Sequence, residues 1–416
     1  MTTDKKIHQL RPTKPAPAAI PPRVLSHPIA FHFRQNGRLT HANNNLMNQP
    51  QSIRRQRTLL SLAWVTAMSV VIAPYQTHAA DASPDLAKQV KAALPDSPGA
   101  CVLAVDDGKI VFQQGFGVAS VETKAPCTPQ TNFRMASVSK QFTATAILLL
   151  VDQGKLSLDD TLDKFFPGFP DYGKKITVRQ LLTHTSGLPD YEELIPKGTT
   201  LQLDDLDIVQ ILLDTQEPLF EPGSKWQYSN SAYVLLGMIV EIAAEQPFHQ
   251  FMASEVFQPL EMDRTCIYQR GLNEVSNRAF GHNFQDGKWV LADQSVTSAT
   301  RGDGCVYTSL EDYLKWLSAH ANRKLLSAKS HDAMFSPQEK TTRGDSSYGY
   351  GWFLDEYRGE PRIQHNGDSR GFRLCVQTYP ERKAAVVLQF NGNVEEEMTK
   401  VGERMSDILI FDRQTK

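Results

Sequence analysis

The 416-residue chain is short of net charge: 44 Lys and Arg stand against 46 Asp and Glu, a formal balance of −2. A surface that neutralises phosphates needs a basic excess, so nucleic acid is not a natural partner. Cysteine is scarce. Cys101, Cys127, Cys266, Cys305 and Cys375 are odd in number, scattered and without a Cys-x-x-Cys, which argues against a disulfide framework or a zinc site. No His-Glu-x-x-His occurs, and neither a metal nor a cofactor is implied. Internal repeats and low-complexity segments are missing beyond residue 83. What remains, 41% hydrophobic and 22% charged residues, is the composition of a soluble globular protein.

The first 82 residues read differently. Met1 to Leu46 is rich in Pro, Asn, Lys and Arg and has no stretch that builds a core, so residues 1–46 are expected to be disordered or a spurious extension. Residues 47–82 read as a secretory signal peptide. Arg54, Arg55 and Arg57 precede the apolar run Leu59 to Ala73, and small residues follow at Ala79, Ala80 and Ala82. The run is shorter than the roughly 20 residues of a membrane-spanning helix, so no stable span is expected after cleavage; an uncleaved anchor is the alternative. Met47 is the expected translation start, and the product is expected to be exported by a bacterium, to the periplasm or beyond.

Residues 83–416 read as one domain. Pro84 to Leu94 is helical in character. Ala100 to Val105 and Ile110 to Val118 are β-type runs around the turn Asp106-Asp107-Gly108. Ser137 to Gln153 is helical and apolar nearly all round, as a central helix is, with Gly154 placed to end it. From about 158 to 300 helix signals predominate and strand character is slight. Thr177 with Gln180 forms a capping box, Ser231 to Glu245 is a second apolar helix, and Thr308 with Glu311 is expected to cap another. Strands return at Gly371 to Tyr379 and Ala384 to Phe390, ahead of a last helix over Val394 to Phe411. The expected fold is α/β plus all-α: an antiparallel sheet made by both chain ends, flanked by helices and interrupted by a helical insert.

Three short motifs carry chemistry. In Ser137-Val138-Ser139-Lys140 the i, i+3 spacing puts lysine and hydroxyl on one helix face. Burial of an amine disfavours its charged form and suits it to relay a proton, and helix N-terminal amides can stabilise an oxyanion. In Tyr228-Ser229-Asn230 the phenol can exchange protons with the serine or leaving group, while the amide holds a substrate carbonyl and the lysine. His365-Asn366-Gly367 offers a cation or hydrogen-bond donor and a glycine that lets substrate approach the backbone. Each alone has an ordinary reading: a helix start with a surface lysine, a turn, a satisfied histidine.

Together and in this order they resemble the serine β-lactamase and penicillin-binding-protein superfamily, particularly its class C β-lactamase and DD-peptidase/esterase branch. The resemblance runs from about Ala100 to Asn393. It includes the run from Leu181 to Pro189 (LLTHTSGLP), Pro222-Gly223 before Trp226, and Tyr348-Gly349-Tyr350-Gly351-Trp352. It implies that Ser137 is the nucleophile, that Lys140 and Tyr228 share the proton-relay work, and that Asn230 orients the substrate. The oxyanion hole would be the backbone N–H groups of Ser137 and Asp368. His365 stands where class C β-lactamases carry lysine, which favours a DD-peptidase, D-aminopeptidase or esterase over a β-lactamase. Asp368 replaces the usual hydroxyl residue. It is expected either to steer the site toward neutral or amine-bearing substrates or to pair with Arg370 or Arg373. Glu261 stands where glycine is usual, and Arg301 reads as a surface residue or a substrate anchor. The expected partner is a small molecule or peptide, such as a cell-wall fragment. A class C-like β-lactamase and a non-catalytic cell-wall sensor are the competing readings.

Overall fold

The computed structural model describes residues 83–413. The segments expected at 1–46 and 47–82 lie outside them. Both ends of the described chain build one eight-stranded antiparallel sheet. In spatial order its strands are Lys109–Gly117, Gly99–Asp106, Ala384–Phe390, Phe372–Tyr379, Glu360–Ser369, Phe353–Tyr357, Ser347–Tyr348 and Glu339–Lys340. The first hairpin turns through Asp107 and Gly108 at φ 48° and 73°, the mirror-image turn that an Asp-Gly pair accommodates.

Period-two alternation assigns each central strand to two cores. Val102, Ala104, Val386 and Leu388 point to one side, where Val90 of helix Pro84–Ala93 and Val401 and Met405 of helix Met398–Ser406 cover them. Cys101, Leu103, Ala385 and Val387 point to the other, into the core shared with the helical region. At about 1.5–3 kcal/mol per buried aliphatic side chain, this double burial fixes the strand register. In the helical region, Lys140–Asp152 packs on Asn230–Ala244, whose residues from Ser231 to Val240 are all buried. A helix apolar on every side has no face to give to water.

Four expectations need correction. Ser309, not Thr308, caps helix Leu310–Ala321, accepting the Asp312 N–H at 3.3 Å; Thr308 ends the short strand Val306–Thr308. The insert holds more strand than expected, namely Cys266–Ile267 and the hairpin His282–Gln285 with Lys288–Leu291. The strands Phe353–Tyr357 and Glu360–Ser369 were not foreseen, because Asp355, Glu356, Pro361 and Arg362 break their apolar alternation. Arg362 is buried there between Asp355 (2.7 Å) and Glu403 (2.8 Å). Finally, the last helix is shorter than expected, running over Met398–Ser406 before a wider turn at Asp407–Phe411.

Candidate active site

Ser137 lies on a pinned, strained turn. The 3-10 turn Ala136–Ser139 feeds helix Lys140–Asp152, and Ala136 before the serine has φ 46°, a left-handed conformation that costs a residue with a Cβ about 1–2 kcal/mol. The turn is tied to strand Val306–Thr308: Met135 N–H donates to Val306 O at 2.8 Å, and Val306 N–H donates to Ser139 Oγ at 3.1 Å. Ser139 is therefore a fastener, and Ser137 is held against one rigid wall.

Lys140 is fully buried. Its Nζ lies 3.3 Å from Ser137 Oγ, 2.8 Å from Asn230 Oδ1 and 3.0 Å from Asp303 O. An ammonium would donate to all three; an amine would donate to Asn230 and Asp303 and accept the serine O–H. The same three contacts thus serve both halves of a proton relay. Asn230 starts its helix with Ser229 Oγ accepting the Ala232 N–H, and its own N–H donates to Asp190 Oδ2 at 2.9 Å. Lys140 Nζ stands 5.0 Å from the Tyr228 ring centroid, and the buried Tyr228 hydroxyl meets no hydrogen-bond partner among the described residues.

The remaining expected residues come out differently. His365 is buried, and burial, followed by the nearby Lys140 charge, pushes its pKa down to about 3. It is neutral, not the cation its position proposed. Nδ1–H donates to Asn366 O (2.7 Å), leaving Nε2 to accept from the Tyr348 hydroxyl (3.3 Å), so it is not a free donor either. Asn366 points to the opposite face of the sheet, donating to Thr399 Oγ1 at 2.8 Å. At Gly367 the close approach is to the protein itself: a Cβ would sit 2.6 Å from Met135 O. The exposed Asp368 carboxylate pairs with Arg373 at 2.7 Å, the second of the two alternatives, while its backbone lies in the strand beside the Ser137 turn. Arg301 is neither surface residue nor anchor. It is largely buried, bound to Asp205 at 2.5 Å and Glu241 at 2.7 Å. Glu261 takes the left-handed φ of 58° that favours the usual glycine.

Some participants were not legible in the chain. Asp303 contributes a main-chain carbonyl to Lys140 and a carboxylate whose Oδ2 accepts the Tyr191 O–H at 3.1 Å; its Oδ1 is buried without a partner among the described residues. His184, present in the recognised run, is a buried neutral ring between Tyr228 and Tyr348, with centroids 4.4 and 4.7 Å away; Ser229 N–H donates to its Nδ1 at 3.1 Å. The groups open on a cleft of about 1190 Å³ lined by Ser137, Tyr228, Asn230, Glu192, Asp303 and Arg343, among others. Such an arrangement can activate a hydroxyl and relay its proton between polar walls.

Comparison with known proteins agrees with this geometry. The β-lactamase family model matches residues 87–409. Penicillin-binding protein 4* of Bacillus subtilis (strain 168) is 30% identical over 325 residues, covering 74% of this chain and 72% of its own. Protein flp of Staphylococcus aureus (strain MRSA252) is 28% identical over 306 residues, 72% of this chain, and the chain spans 60% of flp's length. Among solved structures, the D-amino acid amidase of Ochrobactrum anthropi SV3 complexed with L-phenylalanine amide superposes with a TM-score of 0.67 at 25% identity, over 79% of this chain and 100% of that one. Motifs, sheet topology and family match converge: the chain belongs to the β-lactamase family and is a serine hydrolase of the penicillin-binding-protein superfamily.

Proposed function

We propose that this chain is an exported hydrolase that cleaves amide or ester bonds through an acyl-enzyme on Ser137, of the DD-peptidase, D-aminopeptidase or esterase type. The observation that carries the reading is Lys140 Nζ at 3.3 Å from Ser137 Oγ beside a Tyr228 hydroxyl left without a partner. Ser137 Oγ attacks the substrate carbonyl carbon as its proton passes to Lys140 and Tyr228. The C–N or C–O bond then breaks, and that proton leaves on the departing amine or alcohol. Water repeats the sequence on the ester and releases the acid. The N–H groups of Ser137 and Asp368 receive the oxyanion in both steps.

Within that class we favour substrates whose acyl part carries an amine. With Asp368 paired to Arg373, steering falls to the partnerless Asp303 Oδ1 and to Glu192, whose carboxyl is lifted by burial and the nearby Asp190 charge to a pKa of about 7, so that it carries full charge only above neutral pH. The likeness to a D-amino acid amidase supports this reading. Neutral His365 disfavours β-lactamase turnover. The test is hydrolysis of D-alaninamide and a chromogenic short-chain ester, with intact mass recorded after benzylpenicillin. Ser137→Ala should abolish turnover and Tyr228→Phe should lower kcat about 10²- to 10⁴-fold. A Ser137→Ala protein as active as wild type would sink the assignment. Export rests on Arg54, Arg55, Arg57 and the apolar run after them; a secreted chain with a new N-terminus near Ala82 is its expected signature.

A further inference from the structure

Two of the five cysteines meet in the fold although they are far apart in the chain. Cys101 lies in strand Gly99–Asp106, opposite Gly115 of strand Lys109–Gly117, and its side chain enters the core on the helical side. After that hairpin the chain doubles back over the same face. Cys127 N–H donates to Gly117 O at 3.1 Å, Val118 bridges to Pro126, and the Cys101 thiol donates to Thr128 O at 3.3 Å. Two glycines of the hairpin make the room: a Cβ at Gly99 would collide with Cys127 Sγ, and one at Gly115 with the Cys127 carbonyl. Cys127 is thus laid across both strands, its sulfur over the neighbour of Cys101 on the same face of the pleat. The Cys101 side chain also hydrogen-bonds that of Cys127, and burial, followed by this contact, pushes its pKa well above the ordinary thiol range.

The other three cysteines are engaged elsewhere. Cys305 Sγ donates to Arg301 O at 2.8 Å. Cys375 faces the opposite core, against Gly402 of helix Met398–Ser406, and Cys266 stands opposite Tyr307 in a separate short sheet.

We infer that Cys101 and Cys127 are a disulfide-forming pair, joined in the mature protein. The inference takes its oxidant from the export reading above: a dithiol–disulfide oxidase outside the cytoplasm, for which glutathione disulfide substitutes in vitro. One thiolate attacks a sulfur of the oxidant's disulfide and expels one of its thiols. The second thiolate then attacks the mixed disulfide at the first cysteine and expels the other. Each cysteine gives up a proton, two electrons pass to the oxidant, which leaves as two thiols, and one S–S bond remains. Burial then shields that bond from reductant. The closed loop contains the whole hairpin, and beyond Cys127 the chain runs to strand Phe133–Arg134 and the Ser137 turn. The bridge therefore fastens the approach to the nucleophile onto the sheet.

The chain with its own leader is expressed in a bacterium with an oxidising periplasm and recovered from whole cells. A second sample, made reduced, is brought to constant labelling in excess glutathione disulfide. Both are denatured, alkylated with N-ethylmaleimide and weighed intact. Five thiols less the bridged two leaves three labels expected, and a tryptic digest should join the Cys101 and Cys127 peptides. Cys101→Ala should raise the label count to four. Reduction should lower the wild-type melting temperature by about 5 °C or more and leave that of Cys101→Ala in place. Five labels in both samples, a glutathione adduct that stays on either residue, or a bridge to a different cysteine would overturn the inference. A bridge formed with glutathione disulfide but missing from the chain made in the cell would uphold the pair and overturn the export reading instead.

Discussion

A methyl group on Gly367 would sit 2.6 Å from the Met135 carbonyl oxygen and 3.1 Å from the Leu374 side chain. Neither neighbour can yield freely, because Met135 is tied to Val306 and Leu374 is fully buried. Gly367→Ala should therefore push the strand carrying the Asp368 N–H away from the Ser137 turn. The expected cost is about 1–3 kcal/mol of stability and roughly 10²-fold in kcat/KM, read by thermal unfolding and ester kinetics. Unchanged kinetics would mean that the strand and the turn move independently. The chain displayed this residue but not its reason, since the close approach is to a segment more than two hundred positions away. Ser137, Lys140, Tyr228 and Asn230 were legible because their chemistry depends on residue type and local spacing. The Asp303 carbonyl was not, since every residue owns one. Nor was the charge of His365, which burial and Lys140 decide.

At the scale of elements, the site depends on a clamp. Arg301 joins Asp205, in helix Asp205–Leu213, to Glu241, in helix Asn230–Ala244. The next residues reach the candidate site: Gly302 O accepts the Thr143 hydroxyl at 2.6 Å, and Asp303 O accepts from Lys140. Burial holds Asp205 up at a pKa of about 6 even beside the arginine. Arg301→Gln would leave that carboxylate buried without its cation, and should cost about 3–5 kcal/mol in urea unfolding. Activity should fall further than the folded fraction does, because the Asp303 carbonyl loses its support; activity that tracks the folded fraction alone would disprove this coupling. Sequence periodicity revealed one helix of the clamp, Asn230–Ala244, whose apolar residues run nearly all round, but did not single out Asp205–Leu213. It missed the strands Phe353–Tyr357 and Glu360–Ser369, where buried ion pairs occupy positions that alternation reserves for apolar residues.

Across the whole molecule, pH acts through histidines folded into the interior uncharged. His184, His320 and His365 are all buried, and desolvation holds each below its ordinary pKa, down to about 3 for His320 and His365. A depressed folded-state pKa means that the unfolded chain takes up the proton first. The stability these groups contribute is complete above about pH 6.5 and is lost as pH falls toward 3. At pH 4.5 each of the latter two should withdraw about 2–3 kcal/mol, so the melting temperature should drop steeply between pH 7 and 4.5. His320 allows the cause to be isolated away from the site. Its ring packs against Trp316, Phe335 and Trp352, and its Nε2 has no partner among the described residues. Phenylalanine preserves the shape and removes the proton site. His320→Phe should match or exceed wild-type stability at pH 8 and gain about 2–3 kcal/mol on it by pH 4.5, seen as a flatter plot of melting temperature against pH. A plot parallel to that of wild type would mean that acid lability arises elsewhere, in the carboxylates.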